Sequence, residues 1–156
     1  MLLKNSDVLL TKELHPGLLP ITADYAQMVT IVQNLIINSL HAFEDNDIRI
    51  DRKIRIVTTP MKGGIEISYY DNAGGMPEHV KNRIFDPFFT TKKVGEGTGL
   101  GLSVTYAIVE KYGGNIRFET RLPEGEGGNS GTTFFVALPP ETSGEAKAGE
   151  PQGRTA

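Results

Sequence analysis

From Asp71 to Gly101 the chain is dense in glycine, proline and threonine, and only Pro77 to Ile84 reads as a short helical piece. A stretch of that length without regular structure is not a mere connection inside a compact domain; such segments are usually functional. The longer regular elements lie on either side.

Both flanks have the periodicity to supply them. Val8 to Leu14 and Leu18 to Ile21 read as extended pieces around the turn His15-Pro16-Gly17. Asp24 is an N-cap for a long helix in which Met28, Val29, Val32, Leu35, Ile36, Leu40 and Phe43 recur at three- and four-residue steps, one buried stripe that ends at Glu44-Asp45-Asn46-Asp47. Ile54, Ile56 and Thr58 alternate in a strand, Lys62-Gly63-Gly64 turns the chain, and Ile65, Ile67 and Tyr69 alternate in a second. Beyond the irregular stretch, Leu100 to Tyr112 is a second helix, with Leu102, Tyr106 and Val109 on one side and Gly113-Gly114 as its stop. Ile116 to Arg121 and Thr133 to Leu138 are closing strands around a glycine-rich turn at Gly125 to Gly131. From Pro139 onward Glu, Lys, Ser, Gly, Pro and Ala dominate with nothing to bury, so the expected division is a domain over 1–139 and a disordered tail over 140–156.

Composition narrows the class. A length of 156 residues fits one domain. A formal charge of -3 argues against a nucleic-acid partner, which calls for a basic face. The chain has no cysteine, which excludes disulfides and thiolate zinc sites and fits a reducing cytoplasm. No apolar run approaches the roughly 20 residues of a membrane span, and Met1-Leu2-Leu3-Lys4 lacks the features of a signal peptide. No membrane contact is expected of this domain.

Three clusters carry chemistry. Asn34 and Asn38 stand four residues apart on the long helix, which places both amides on one face. They are either solvent-side residues or oxygen donors for a hard cation such as magnesium. Asp71-Asn72-Ala73-Gly74-Gly75-Met76 follows a strand and reads either as a turn or as a carboxylate beside glycines that admit a ligand close to the backbone. Gly95-Glu96-Gly97-Thr98-Gly99-Leu100-Gly101 opens a helix, and is either a hinge or an anion site made by N–H groups at the helix start. It is not a P-loop, for no Lys-Ser/Thr follows.

Taken together and in order, these clusters resemble the ATP-binding catalytic domain of bacterial sensor histidine kinases. Asn34 to Ala42 looks like their N box, Asp71 to Gly75 their G1 box, Phe85-Asp86-Pro87-Phe88-Phe89 their F box and Gly97 to Leu102 their G2 box. Gly131-Thr132 is similar to the Gly-Thr that closes the site in the wider superfamily, which includes gyrase-type topoisomerases, the Hsp90 chaperones and the MutL repair proteins. The match spans residues 6 to 139, and the F box points to the kinases.

The resemblance implies an α/β two-layer sandwich, a mixed sheet of about five strands with about three helices on one face. It implies ATP and Mg2+ as cofactors. Asn38 would ligate magnesium, with Asn34 near the phosphates. Asp71 would accept a hydrogen bond from the adenine amino group, Thr132 would assist through a water, and Gly75 would let the backbone pass the base. Phe85 to Lys93 would form a mobile lid, with Lys92 or Lys93 meeting phosphate. Gly97, Gly99 and Gly101, in a run with Thr98 and Leu100, would bring N–H groups to the phosphate chain. His41 stands where some kinases place a basic residue near phosphate; a solvent-facing helix position is its other reading. Ala73 departs from the usual glycine by one methyl. None of His15, His41 and His79 looks like a phosphoacceptor, so no catalytic residue is expected in the chain itself. The implied partners are a histidine-containing dimerisation domain of the same protein and the receiver domain of a response regulator. A nucleotide-dependent switch module and an anti-sigma-type serine kinase are the rival readings.

Overall fold

The computed structural model describes residues 7–92, 97–123 and 130–141. Among them the elements run β1 (Val8–Leu14), α1 (Tyr25–Asp45), β2 (Arg52–Met61), β3 (Gly64–Asp71), α2 (Glu78–Lys81), α3 (Gly101–Lys111), β4 (Asn115–Arg121) and β5 (Gly131–Leu138). The five strands form one sheet in the order β1-β2-β3-β5-β4. β1 and β2 are parallel, with Val8 opposite Arg52. A parallel pair needs a long crossover, and α1 supplies it. All other pairings are antiparallel, and β5 inserts between β3 and β4. The sheet is therefore mixed, as the resemblance implies.

Burial alternates along β5, where Thr132, Phe134, Val136 and Leu138 are buried and the residues between them are half-exposed. That period of two means that the helices cover a single face. Register carries the covered face across the sheet. Tyr69 stands opposite Phe134, and Phe134 opposite Phe118. One row nearer the irregular stretch, Asp71 stands opposite Thr132 and Thr132 opposite Thr120. The apolar rows make the core; the polar row lies at the end of the sheet from which the functional stretch departs.

Asp24 caps α1 through a hydrogen bond from Gln27 N–H, 2.9 Å. The buried face of α1 differs from the expected stripe. It is Ile31, Leu35, Ser39 and Phe43, four residues apart throughout, with Val29, Val32, Ile36 and Leu40 half-buried on its flanks. Counting only apolar residues passed over Ser39 and so set the wrong phase. α3 is likewise rotated from expectation: Thr105, Ile108 and Val109 are buried, while Tyr106 is 37% exposed. Leu18 to Ile21 form no strand; Leu18 and Ile21 instead pack as loop residues on the core. The chain is still attached to the domain at Glu141, whose N–H donates to Pro20 O at 2.9 Å and whose carboxylate accepts from Thr22 Oγ1 at 2.9 Å. The rest of the expected tail, 142–156, lies outside the described residues, as does most of the glycine-rich turn before β5.

The phase of α1 has a measurable consequence. Leu35→Ala removes a side chain that is 2% exposed, and urea denaturation should show a loss of about 2–5 kcal/mol. Val32→Ala, on the flank, should cost clearly less. Equal losses would mean that the helix is seated as the apolar count alone suggests.

Candidate functional site

A cleft of ≈ 830 Å³ lies along α1, bounded by the irregular stretch and the start of α3. From Asn34 to Asn46 the helix spans about 18 Å at 1.5 Å per residue. The two ends differ in chemistry. Toward the last turn of α1 the lining includes Ala42, Gly75, Met76, Val80 and Ile84, with Asp45, Asn46 and His79 among them. From the middle of α1 toward α3 it is Asn34, Asn38, His41, Lys92, Thr98 and the glycines 97, 99 and 101. A flat apolar group fits the first end and an anionic chain the second.

At the polar end, α3 begins without a side-chain cap, so its first N–H groups and the positive end of its dipole face the cleft. Gly99 has φ 65, and a Cβ there would run into the backbone of Phe88. That close approach is tied by the bond from Phe88 N–H to Gly99 O, 2.9 Å. Asn34 donates its amide N–H to Gly101 O (2.9 Å) and to Thr105 Oγ1 (3.2 Å), coupling α1 to α3 and leaving Oδ1 as its open acceptor. Asn38 differs: its Nδ2 is shut from solvent without a hydrogen-bond partner. Buried amides in folded proteins are nearly always paired, which sets this nitrogen apart from that of Asn34. Lys92 Nζ meets His41 Nδ1 across the cleft mouth. With an ammonium as donor, the imidazole is neutral and carries its proton on Nε2. Burial, and then the charge of Lys92, hold His41 below its ordinary value of 6.5, against the pull of Glu44 and Asp45.

At the other end Gly75 has φ 75, and a Cβ would strike Arg121 O. Met76 N–H donates to Thr120 Oγ1 at 2.8 Å, which holds this backbone against the sheet. Thr120 Oγ1 also lies 3.0 Å from Thr132 Oγ1. Asp71 is 5% exposed and sits behind the cleft wall. Its carboxylate accepts from Ser39 Oγ (2.5 Å) and from Ala73 N–H (3.0 Å). Burial raises its proton affinity above the ordinary carboxylate value; the bonds from Ser39, Ala73 and Thr132 oppose that.

The structure thus brings Asn34, Asn38, His41, Gly75, Lys92, Gly97, Thr98, Gly99 and Gly101 into one cleft. Leu100 serves as the N-cap residue of α3 rather than as lining. Phe85 is displaced from its expected place: it packs on Tyr106 and Phe118, with ring centroids 5.4 and 6.0 Å apart, and anchors the stretch to the core. Phe89 takes the lining position instead. Lys93 lies outside the described residues. Sequence reasoning missed Ser39, Thr120 and Asn46, whose Nδ2 donates to Ala73 O at 2.8 Å. Ser39 did leave a signal, as a hydroxyl between Leu35 and Phe43 at helical spacing.

A single-faced mixed sandwich with an amide-bearing helix, a glycine-opened helix and a cleft between them defines a nucleotide-binding domain. The chain matches the model of the histidine kinase-, DNA gyrase B- and HSP90-like ATPase family over residues 23–142. Two-component sensor PprA of Pseudomonas aeruginosa is 38% identical over 122 residues, covering 77% of this chain and 12% of that protein. The C4-dicarboxylate transport sensor protein DctB of Rhizobium meliloti is 35% identical over 126 residues, covering 81% of this chain and 18% of that protein. Among solved structures, the nucleotide-free catalytic domain of histidine kinase ThkA superposes with a TM-score of 0.69 at 30% identity, covering 88% of this chain and 82% of that one. The chain belongs to the histidine kinase-, DNA gyrase B- and HSP90-like ATPase family, as an ATP-binding catalytic domain of the sensor histidine kinase kind. It spans 12% to 35% of the length of the curated sensor proteins it matches. No helix among the described residues is long and apolar enough to cross a membrane.

His41 should make the domain's stability pH-dependent. Its folded-state value is depressed below 6.5, so its contribution is complete above 6.5 and is lost as pH falls toward the folded value. Urea denaturation between about pH 7.5 and pH 5.5 should show stability falling with acid. His41→Gln, which keeps an acceptor but does not titrate, should flatten that part of the curve; an unchanged slope would assign the loss to other groups.

Proposed function

We propose that this domain holds Mg-ATP in the cleft and presents its γ-phosphate to a histidine on a separate dimerisation domain of the same protein, for onward transfer to a response-regulator receiver domain. The cytoplasm, where ATP and reduced proteins are found, is the compartment this reading requires. Its principal support is the pairing of Asn34 and Asn38 on α1 with the uncapped, glycine-rich start of α3 across one cleft.

The residues divide the ligand between them. The apolar lining around Met76, Val80 and Ile84 takes the base, and Gly75 lets its plane lie close to the backbone. Asp71 accepts from the exocyclic amine, with Thr132 beside it. The N–H groups at the start of α3 and the ammonium of Lys92 face the phosphates, and Lys93 is a second candidate for that contact. Lys92 must leave His41 to do so. The donor set also suits magnesium, which prefers oxygen ligands and usually takes few from protein, keeping waters and substrate phosphates for the rest. Asn38, which would offer its amide oxygen, is the candidate ligand, and Asn34 Oδ1 lies one turn away. When bound, the cation would neutralise charge on the phosphate chain. Phosphoryl transfer depends mainly on such neutralisation and on positioning, which is what rigid helices and a pinned loop provide. Phe85, locked between Tyr106 and Phe118, gives the lid a fixed base.

Three measurements test this reading. In calorimetry, Asn38→Ala should weaken ATP binding at least about tenfold in magnesium and far less in EDTA; equal losses would make Asn38 structural. ATP should bind more than about tenfold tighter than GTP, whose carbonyl at that position sets an acceptor against the carboxylate where adenine offers a donor. With γ-labelled ATP the isolated domain should stay unlabelled, since an in-line nucleophile must sit within about 3.5 Å. Addition of the histidine-bearing domain should then yield acid-labile, base-stable phosphate on that domain. Base-labile, acid-stable label would point to serine or threonine and overturn the proposal.

A further inference from the structure

Ser39 is an anomaly in the wall of α1. The positions one turn before and after it, Leu35 and Phe43, are apolar and buried, and Ser39 itself is 1% exposed. An unpaired hydroxyl there would be destabilising. Its partners explain it. Tyr69 Oη donates to Ser39 Oγ at 3.0 Å, and Ser39 Oγ donates to Asp71 Oδ2 at 2.5 Å. Tyr69 is fully buried at 1% exposure, so its hydroxyl has no water to turn to.

We propose that Tyr69 and Ser39 are positioning residues for base recognition: a one-way hydroxyl chain runs through them into Asp71 and leaves its carboxylate acceptor capacity suited to a neutral amine. The inference rests on the proposed adenine role of Asp71.

The direction of the chain follows from the groups. The phenol stays protonated, held so by burial, and must donate. Ser39 accepts that hydrogen bond, and its own O–H can go only toward an acceptor. An ionised carboxylate is acceptor-only, with about four lone-pair sites. Ser39 occupies one and Ala73 N–H a second, and the backbone of Thr132 also favours the charged form. The capacity that remains calls for a further donor. None of these partners is a cation. A lysine or arginine here would satisfy the carboxylate outright, whereas hydroxyl and amide dipoles stabilise its charge only in part. A ligand N–H therefore still gains by binding, and a ligand carbonyl is repelled. The ionisable groups beside Asp71 are Tyr69 and Tyr70 on its own strand, with Lys53 acting on Tyr70; α1 contributes Ser39, and β5 contributes Thr132.

The test compares Ser39→Ala, Ser39→Thr, Tyr69→Phe and Asp71→Asn for ATP and GTP affinity, and follows the Asp71 carboxyl by NMR as pH is lowered. Ser39→Ala removes a bond that lowers the proton affinity of Asp71, so the carboxyl should titrate at higher pH. ATP affinity should fall about tenfold and its acid limb should move the same way. The ATP:GTP ratio should shrink. Tyr69→Phe, which keeps the ring and the packing, should move the titration in the same direction by less, and Ser39→Thr should restore both readouts. An unmoved carboxyl titration in both Ser39→Ala and Tyr69→Phe would overturn the chain. A moved titration with an unchanged ATP:GTP ratio would overturn its role in base recognition. If Asp71→Asn itself left that ratio unchanged, the adenine reading would be the one to fall, whatever the titration showed.

Discussion

Ile31, Leu35 and Phe43 bury one face of α1 in the same cluster as Ile54, Tyr69 and Phe134 of the sheet, and every other part of the molecule takes its position from that contact. α1 is the crossover that allows β1 to lie parallel to β2. It is the main apolar contribution to the core from the helical layer, and its opposite flank is the floor of the cleft. One rigid element therefore does structural and chemical work at once. Residues on a packed helix hold their geometry far better than residues on a loop, which matters where a ligand must be positioned to a fraction of an ångström.

The second constraint is polar and sits inside the first. A carboxylate at the end of β3 would be costly to bury unless it were hydrogen-bonded. The Ser39 hydroxyl from α1 and N–H groups from the neighbouring backbone meet that need. The Thr120–Thr132 pair and the Met76 contact extend the polar row along the sheet end. The irregular stretch leaves the sheet here, close to fixed hydrogen-bonding groups, and is secured again at Phe85 and at the Phe88–Gly99 bond. Between those anchors it lines the mouth of the cleft and carries Lys92.

Much of this was readable from local pattern. Strand alternation and the glycine turn at Lys62-Gly63-Gly64 mark the β2–β3 hairpin, and Asp24 marks the start of α1, because a period of two and a cap are properties of neighbouring residues. The Asn34–Asn38 spacing, the Asp71 run and the glycine-opened helix mark the site for the same reason. Phase was less legible. Apolar counting cannot tell a buried face from a half-buried flank when both are hydrophobic, and it treats Ser39 as a gap. Phe85 was misplaced because its motif neighbours and its packing partners, Tyr106 and Phe118, are far apart in sequence.

The sequence by itself determined the alternation of strands and helices, the position of the functional stretch and the identity of the family, since each is written in short-range spacing. Only the tertiary structure decided the strand order with β5 between β3 and β4, the rotation of α1 and α3 about their axes, and which groups meet. The reason is physical. Local hydrogen bonding and side-chain period act over a few residues, whereas the Tyr69–Ser39–Asp71 chain, the Asn34 link to α3 and the His41–Lys92 contact join atoms from segments that come together only when the apolar core closes between them.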